Sequence, residues 1–276
     1  MIEPVLKDGA LIADIRAARA SEGLHLWWLG QSGFLVQWHG RHLLLDPYLS
    51  DSLTRKYAAT DKPHVRMTER AIDPEQLDFI DVVTSSHNHT DHLDAETLGP
   101  LLRVNPTIRM VAPEANRKFI ADRLGIDAAF PVGLASGQSA LLEAFRIHAV
   151  PAAHEEVGPE YLGYVVECGP YSIYHSGDTL LYEGMAETLR PFHVDVALLP
   201  INGREPSRRV AGNLSAMEAA QLGREIGARL VIPCHYEMFE FNTADPADFA
   251  EAAQSIGQPY RVLRCGERWD TATPNA

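Results

Sequence analysis

The stretch that decides the reading is Ser85-Ser86-His87-Asn88-His89-Thr90-Asp91-His92-Leu93-Asp94. It places three histidines and an aspartate within six positions, as His87-x-His89-x-Asp91-His92. A polar loop that is merely rich in histidine is the plain alternative. Neutral imidazole, however, suits zinc, iron, nickel or manganese, and a carboxylate adds a hard, charged donor. The context favours ligation. "DVVTSS" before the motif is an apolar, strand-like run, and "DAETLGPLL" after it is helix-like. The donors thus sit on a loop leaving a strand, where binding residues concentrate. One loop cannot enclose an ion, so the rest of the chain must supply more ligands.

Three further stretches follow the same pattern, in which a strand ends and a His or Asp follows. "FRIHAVPAAH" ends at His154, "YSIYHSGDT" carries Asp178, and "RLVIPCH" ends at His235. Each is weak alone. A histidine after a strand is often a surface residue, and Asp178 has an alternative use as the N-cap of a helix in "LLYEGMAETL". Together with the first motif they make seven donors on four strand-end loops. That number suits two metals, and Asp178 is a natural carboxylate to bridge them. Paired metals about 3.5–4 Å apart can share a hydroxide and polarise a substrate oxygen.

The chain has 276 residues, 46% of them hydrophobic and 22% charged, which fits one large α/β domain spanning 1–276. Its formal net charge is −13, and the pI of about 5.3 is acidic. An acidic chain is repelled by a phosphate backbone, so nucleic acid is disfavoured as a partner. No segment is long and apolar enough to span a bilayer, so no membrane partner is expected. The first twenty residues lack a basic segment followed by an apolar core, the mark of a signal peptide. Cys168, Cys234 and Cys265 are odd in number and far apart. That pattern suits a reduced, cytoplasmic chain of buried thiols better than a disulfide framework. A homo-oligomer remains open.

Leu11, Ile12, Ile15 and Ala18 recur at helical spacing and predict an N-terminal helix over about 8–22. "LHLWWL", "GFLVQW" and "RHLLLD" read as three strands, with a turn at His39-Gly40. The long polar stretch at about 51–76 is a candidate rim or lid over a site. From Asp81 onward strands and helices alternate. The helix candidates are "DAETLGPLL", "EANRKFIADRL", "LLYEGMAETLR", "SAMEAAQLGREI" and "PADFAEAAQSI". Ser215-x-x-Glu218 has the form of a capping box.

The seven donors, in this order and at these strand ends, resemble the metallo-β-lactamase superfamily in its dinuclear form. Within it, "WWLGQSGFLV", "LLLDPYLSDS", "YHSGDT", "DVALLPINGR" and "RLVIPCHYEMFEFN" make the chain similar to the ascorbate-6-phosphate lactonase family. The resemblance runs from about Leu24 to Trp269. It implies a four-layer αββα sandwich with the metals in a cleft at one edge. His87, His89 and His154 would hold one metal. Asp91, His92 and His235 would hold the other, with Asp178 between them. Two divalent ions are expected, zinc or manganese, with iron also suited to these donors.

Around this set stand further candidates. Asp46 could orient a ligand histidine through its free ring nitrogen, or simply form the turn before Pro47. His175 and Tyr236 could touch substrate. Asn202, Arg204, Arg208, Arg209 and Asn213 follow the strand "VDVALLPI" and could hold an anionic substrate. The expected activity is that of a metal-dependent hydrolase whose nucleophile is a metal-bridged hydroxide, with Asp91 taking and passing on a proton. A small anionic lactone of sugar-acid type is the favoured small-molecule substrate. The rivals are a metal-dependent phosphodiesterase and a non-catalytic, metal-dependent binder of small molecules.

Overall fold

The computed structural model describes residues 1–272. Helix α1 (Asp8–Ala18) turns Leu11, Ile15 and Ala18 into the core. It stops short of the expected residue 22 because the next amides bond three residues back: Ala20 to Ala17 at 3.2 Å and Ser21 to Ala18 at 3.0 Å. That tightening satisfies the end of the helix and releases the chain into the first strand.

Strands β1 (Leu24–Trp28), β2 (Phe34–Trp38) and β3 (Arg41–Leu45) form an antiparallel meander. His39 and Gly40 make the β2–β3 turn, both at positive φ (47° and 74°), as a two-residue hairpin requires. Strands β4 (Val82–Thr84), β5 (Arg109–Pro113) and β6 (Val132–Leu134) continue the sheet in parallel, by way of α3 (Ala95–Val104) and α4 (Arg117–Leu124). The last strand described, β13 (Arg268–Asp270), pairs antiparallel with β1 at the opposite edge.

The second sheet runs β12-β11-β10-β9-β8-β7. Here β7 (Ser139–Leu142), β8 (Phe145–Ala153), β9 (Val157–Cys168) and β10 (Tyr171–His175) are antiparallel. Strands β11 (Val196–Pro200) and β12 (Leu230–Cys234) add in parallel. Every residue of β1, β11 and β12 is buried. Burial on both faces is what a sheet covered by a second sheet and by helices demands. One continuous apolar core joins the two sheets, from Leu26 and Leu44 to Val165 and Leu198.

The remaining helices are α2 (Ser52–Tyr57), α5 (Met185–Leu189), α6 (Ala216–Glu225) and α7 (Pro246–Ile256). The capping box forms as expected: Ser215 and Glu218 each bond the other's backbone N–H at the start of α6. "LLYEGMAETLR" is a correction. Its helix is only α5, entered from Gly184 in left-handed backbone (φ 82°), so Asp178 does not cap it. Strands β6, β7 and β13 were not anticipated.

The topology brings the carboxyl ends of β1, β3, β4, β8, β10 and β12 to one edge of the two sheets. All the metal-ligand candidates hang from that edge.

Candidate metal centre

Two groups of donors form at this edge. His87, His89 and His154 make one, and Asp91, His92, Asp178 and His235 the other; within each, the donor atoms lie within 4.8 Å of one another. His154 Nε2 is 3.1 Å from His89 Nδ1. In the second group His92 Nε2 is 3.2 Å from Asp178 Oδ1, and His235 Nε2 is 3.3 Å from Asp178 Oδ2 and 3.6 Å from Asp91 Oδ2. Asp178 reaches both groups, because the same Oδ2 is 3.8 Å from His154 Nε2.

Local backbone explains how these side chains arrive. Gly177 has φ 59°, and a Cβ there would sit 2.6 Å from Ser86 Cβ. Only glycine lets the two strand-end loops approach so closely, and that approach delivers Asp178. Asp46 (φ 39°) and His235 (φ 63°) also adopt left-handed backbone. Non-glycine residues in that region cost free energy and cluster at functional sites.

The tautomers are set from behind. Asp46 is wholly buried and lies 2.8 Å from His92 Nδ1. Its carboxylate also accepts from Ser86 N at 3.0 Å and Thr84 Oγ1 at 2.9 Å, and from the Ser86 hydroxyl. Ser86 Oγ is in turn 3.0 Å from His87 Nδ1. With both Nδ1 atoms engaged, His87 and His92 present Nε2 to the site; His87 Nε2 has no hydrogen-bond partner, and His92 Nε2 faces Asp178 Oδ1 at 3.2 Å. The buried nitrogens His154 Nδ1 and His235 Nδ1 also lack partners. Orphaned buried donors of this kind are costly unless something binds them, so the residues fit divalent cations.

Electrostatics separates the two groups. Burial holds His87 and His154 below the ordinary imidazole range, which favours their neutral forms. In the second group burial also opposes charge, but Asp178 and Asp91 outweigh it. His235 is held up at about 9, and His92 is raised well above its usual value. Two carboxylates thus draw positive charge to this spot, and ligation by a cation replaces those protons.

His89, Asp91, His154, Asp178 and His235 line a cavity of about 480 Å³, while His87 and His92 stay buried outside its lining. Its walls include Leu53, Lys56, Tyr57 and His64 from the expected rim segment. The Phe239–Asn242 stretch closes another side, and Phe119 and Arg123 a third. Arg123 braces the metal-ligand loop, donating to Asn88 O at 2.7 Å and Leu93 O at 3.0 Å.

A family model described as a β-lactamase superfamily domain matches residues 25–235. The chain is 32% identical over 256 residues to a UPF0173 metal-dependent hydrolase of Opitutus terrae, a match covering 88% of this chain and 98% of that one. The chain belongs to the UPF0173 metal-dependent hydrolase family of the metallo-β-lactamase superfamily. Solved structures agree in fold. Igni18, a metallo hydrolase from Ignicoccus hospitalis, aligns with a TM-score of 0.67 at 23% identity, covering 91% of this chain and 99% of that one. An isothiocyanate hydrolase from Delia radicum gut bacteria aligns at 0.73 and 18%, covering 91% and 100%. The UPF0173 description names hydrolysis and a metal but no substrate. The likeness to ascorbate-6-phosphate lactonases therefore bears only on the substrate proposal. Among the described residues, no helix of this UPF0173 member is long and apolar enough to cross a membrane.

Other expected contacts lie elsewhere. Arg204 makes a two-pronged ion pair with Glu218 at 2.7 and 2.8 Å. Asn213 donates to Asn202, and Asn202 to Asn242, behind the cavity wall. His175 is buried with Nε2 2.9 Å from Ser32 O. The Tyr236 hydroxyl donates to Leu263 O, and its ring packs 4.4 Å from that of Trp28. None of these five residues lines the cavity. Arg208 donates to Asn202 O at 2.5 Å. Of the arginine segment only Arg209 reaches the cavity, paired there with Asp61 at 2.5 Å. Sequence reasoning passed over Gln31, Lys56 and Arg123. "WWLGQSGFLV" had marked the neighbourhood of Gln31 without giving it a role.

Proposed function

We propose that this UPF0173 member holds two divalent ions, one in each donor group, with Asp178 shared between them. We infer further that it hydrolyses a small anionic lactone. The observation that carries the reading is the joining of the two groups, through Asp178, at the floor of one bounded cavity. Divalent ions held there would polarise a carbonyl oxygen and lower the pKa of water toward ~7.

The chain's own residues supply the rest. Gln31 fixes Oδ2 of Asp91 at 2.7 Å, which orients the Asp91 carboxylate toward the cavity. Asp91 takes a proton from the attacking water and returns it to the leaving oxygen. Leu53, Phe119, Phe239 and Phe241 give the cavity apolar walls. Lys56 is exposed at the wall, and its ammonium can anchor a carboxylate or phosphate handle.

A cavity of about 480 Å³ is in the range that encloses small molecules, which favours a compact ester over a lipid or a nucleic-acid strand. The test is a panel of lactones and phosphodiesters offered to protein loaded with zinc or manganese. Turnover of an anionic lactone is the expected result. Efficient cleavage of bis(p-nitrophenyl) phosphate with no lactone turned over would replace this reading with a phosphodiesterase. Tight binding without turnover would make the protein a metal-dependent binder.

A further inference from the structure

Gln31 belongs to neither donor group, yet it touches two members of the second. It lies in Gly30-Gln31-Ser32-Gly33, between β1 and β2, in left-handed backbone (φ 51°) and only 1% exposed. Its side-chain Nε2 donates to Asp91 Oδ2 at 2.7 Å and lies 2.8 Å from His235 Nε2. Its backbone carbonyl accepts from the His235 N–H at 3.0 Å. The same oxygen accepts from the Trp28 indole at 3.0 Å. One residue of the β1–β2 turn thus contacts a carboxylate from the loop after β4 and an imidazole from the loop after β12.

The first group has no equivalent. Among the described residues no side-chain amide bonds His87, His89 or His154, and His87 Nε2 is without any hydrogen-bond partner. The asymmetry is therefore built into the chain and does not depend on which ion binds.

We propose that Gln31 is a positioning residue for the second donor group, so that the ion affinity of that group depends on a residue the first does not use. This inference rests on the two-ion reading above. Two effects oppose each other. An ion that takes His235 Nε2 must push aside the amide 2.8 Å from that atom, which weakens binding a few-fold. Against this, the amide and carbonyl hold Asp91 and His235 in place before the ion arrives. Partners that orient metal ligands are worth 10–100-fold in affinity. Orientation is the larger effect, so removing the amide weakens the second group.

The experiment is a calorimetric titration of chelator-stripped protein with Zn²⁺. Wild type is compared with Gln31→Met, which keeps the bulk without the donor, and with Gln31→Ala. Melting of each metal-free protein is measured alongside. Wild type is expected to show two binding steps. Both variants are expected to keep the first step, lose roughly 10–100-fold in the second, and melt like the metal-free wild type. An unchanged second step, equal weakening of both steps, a lowered metal-free melting temperature with both steps weakened, or one step in the wild type would each overturn the assignment. The lactone panel tests a different claim. A weakened second step with no lactone turned over would leave Gln31 in this role and remove only the substrate.

Discussion

Asp46 and His92 meet 2.8 Å apart with no solvent access to either side chain. They come from neighbouring parallel strand ends, β3 and β4, and join them outside the ladder. Burial works against the charge on Asp46, but the His92 hydrogen bond and the nearby imidazoles pull its carboxyl below the usual range. Asp46→Ala is expected to leave the Ser86 amide, the Thr84 hydroxyl and His92 Nδ1 without their acceptor. A loss of about 3 kcal/mol in stability follows from such unpaired groups, with a 10–100-fold loss of metal affinity. Urea unfolding and metal titration check the two parts separately. Unchanged metal affinity would show that Asp46 serves only the turn before Pro47.

Asp178→Ala removes the one carboxylate, among the described residues, within 4 Å of all three of His154, His92 and His235. Metal content is expected to fall in both groups, and activity with it by at least about 100-fold. Elemental analysis after dialysis reads the first and turnover the second. Full metal content in the variant would sink the bridging role.

Much of this centre is legible in the chain because metal chemistry is confined to a few residue types. His87, His89, Asp91 and His92 announce themselves by spacing, and His154, Asp178 and His235 by following strands. Gln31 carries no such mark. Its role depends on a turn that brings it beside Asp91 and His235, residues 60 and 204 positions away. Arg204 misleads for the opposite reason: a cation after a strand looks free until Glu218, one helical turn into α6, is seen to hold it. Strands β6 and β7 are short, and β6 carries a glycine. Their pairing with β5 and β8, not their local composition, makes them strands.

Arg204→Ala and Lys56→Ala separate the scaffold from the cavity. Arg204 and Ser215 hold the Glu218 carboxyl down at about 2, so Arg204→Ala is expected to loosen the start of α6 and leave KM unchanged. Lys56→Ala is expected to raise KM for an anionic substrate about three- to tenfold at unchanged kcat, the mark of uniform binding lost at an exposed charge. Steady-state kinetics on both variants decides. A KM effect from Arg204→Ala alone would reverse the assignment.

His42 gives a pH dependence remote from the metal-ligand candidates. Burial, assisted by Arg19, lowers its pKa from 6.5 to about 4. The folded state therefore binds fewer protons than the unfolded state between these values. Its contribution to stability is complete above pH 6.5 and is lost as pH falls from 6.5 toward 4, by on the order of 3 kcal/mol over the whole window. Urea midpoints at pH 7.5 and 5 are expected to converge in His42→Leu relative to wild type. An equal pH slope in the variant would show that other groups carry it.

Each donor group draws on both sheets. His87 and His89 leave β4 of the first sheet while His154 leaves β8 of the second; Asp91 and His92 face Asp178 and His235 in the same way. An ion in either group is thus a cross-link between the two halves of the sandwich, joining residues more than sixty positions apart. Neither half expressed alone can hold an ion at full coordination. Two fragments separated between β6 and β7 are expected to associate more tightly as zinc is added, which would turn a bound metal into a measurable clasp between two halves of one chain.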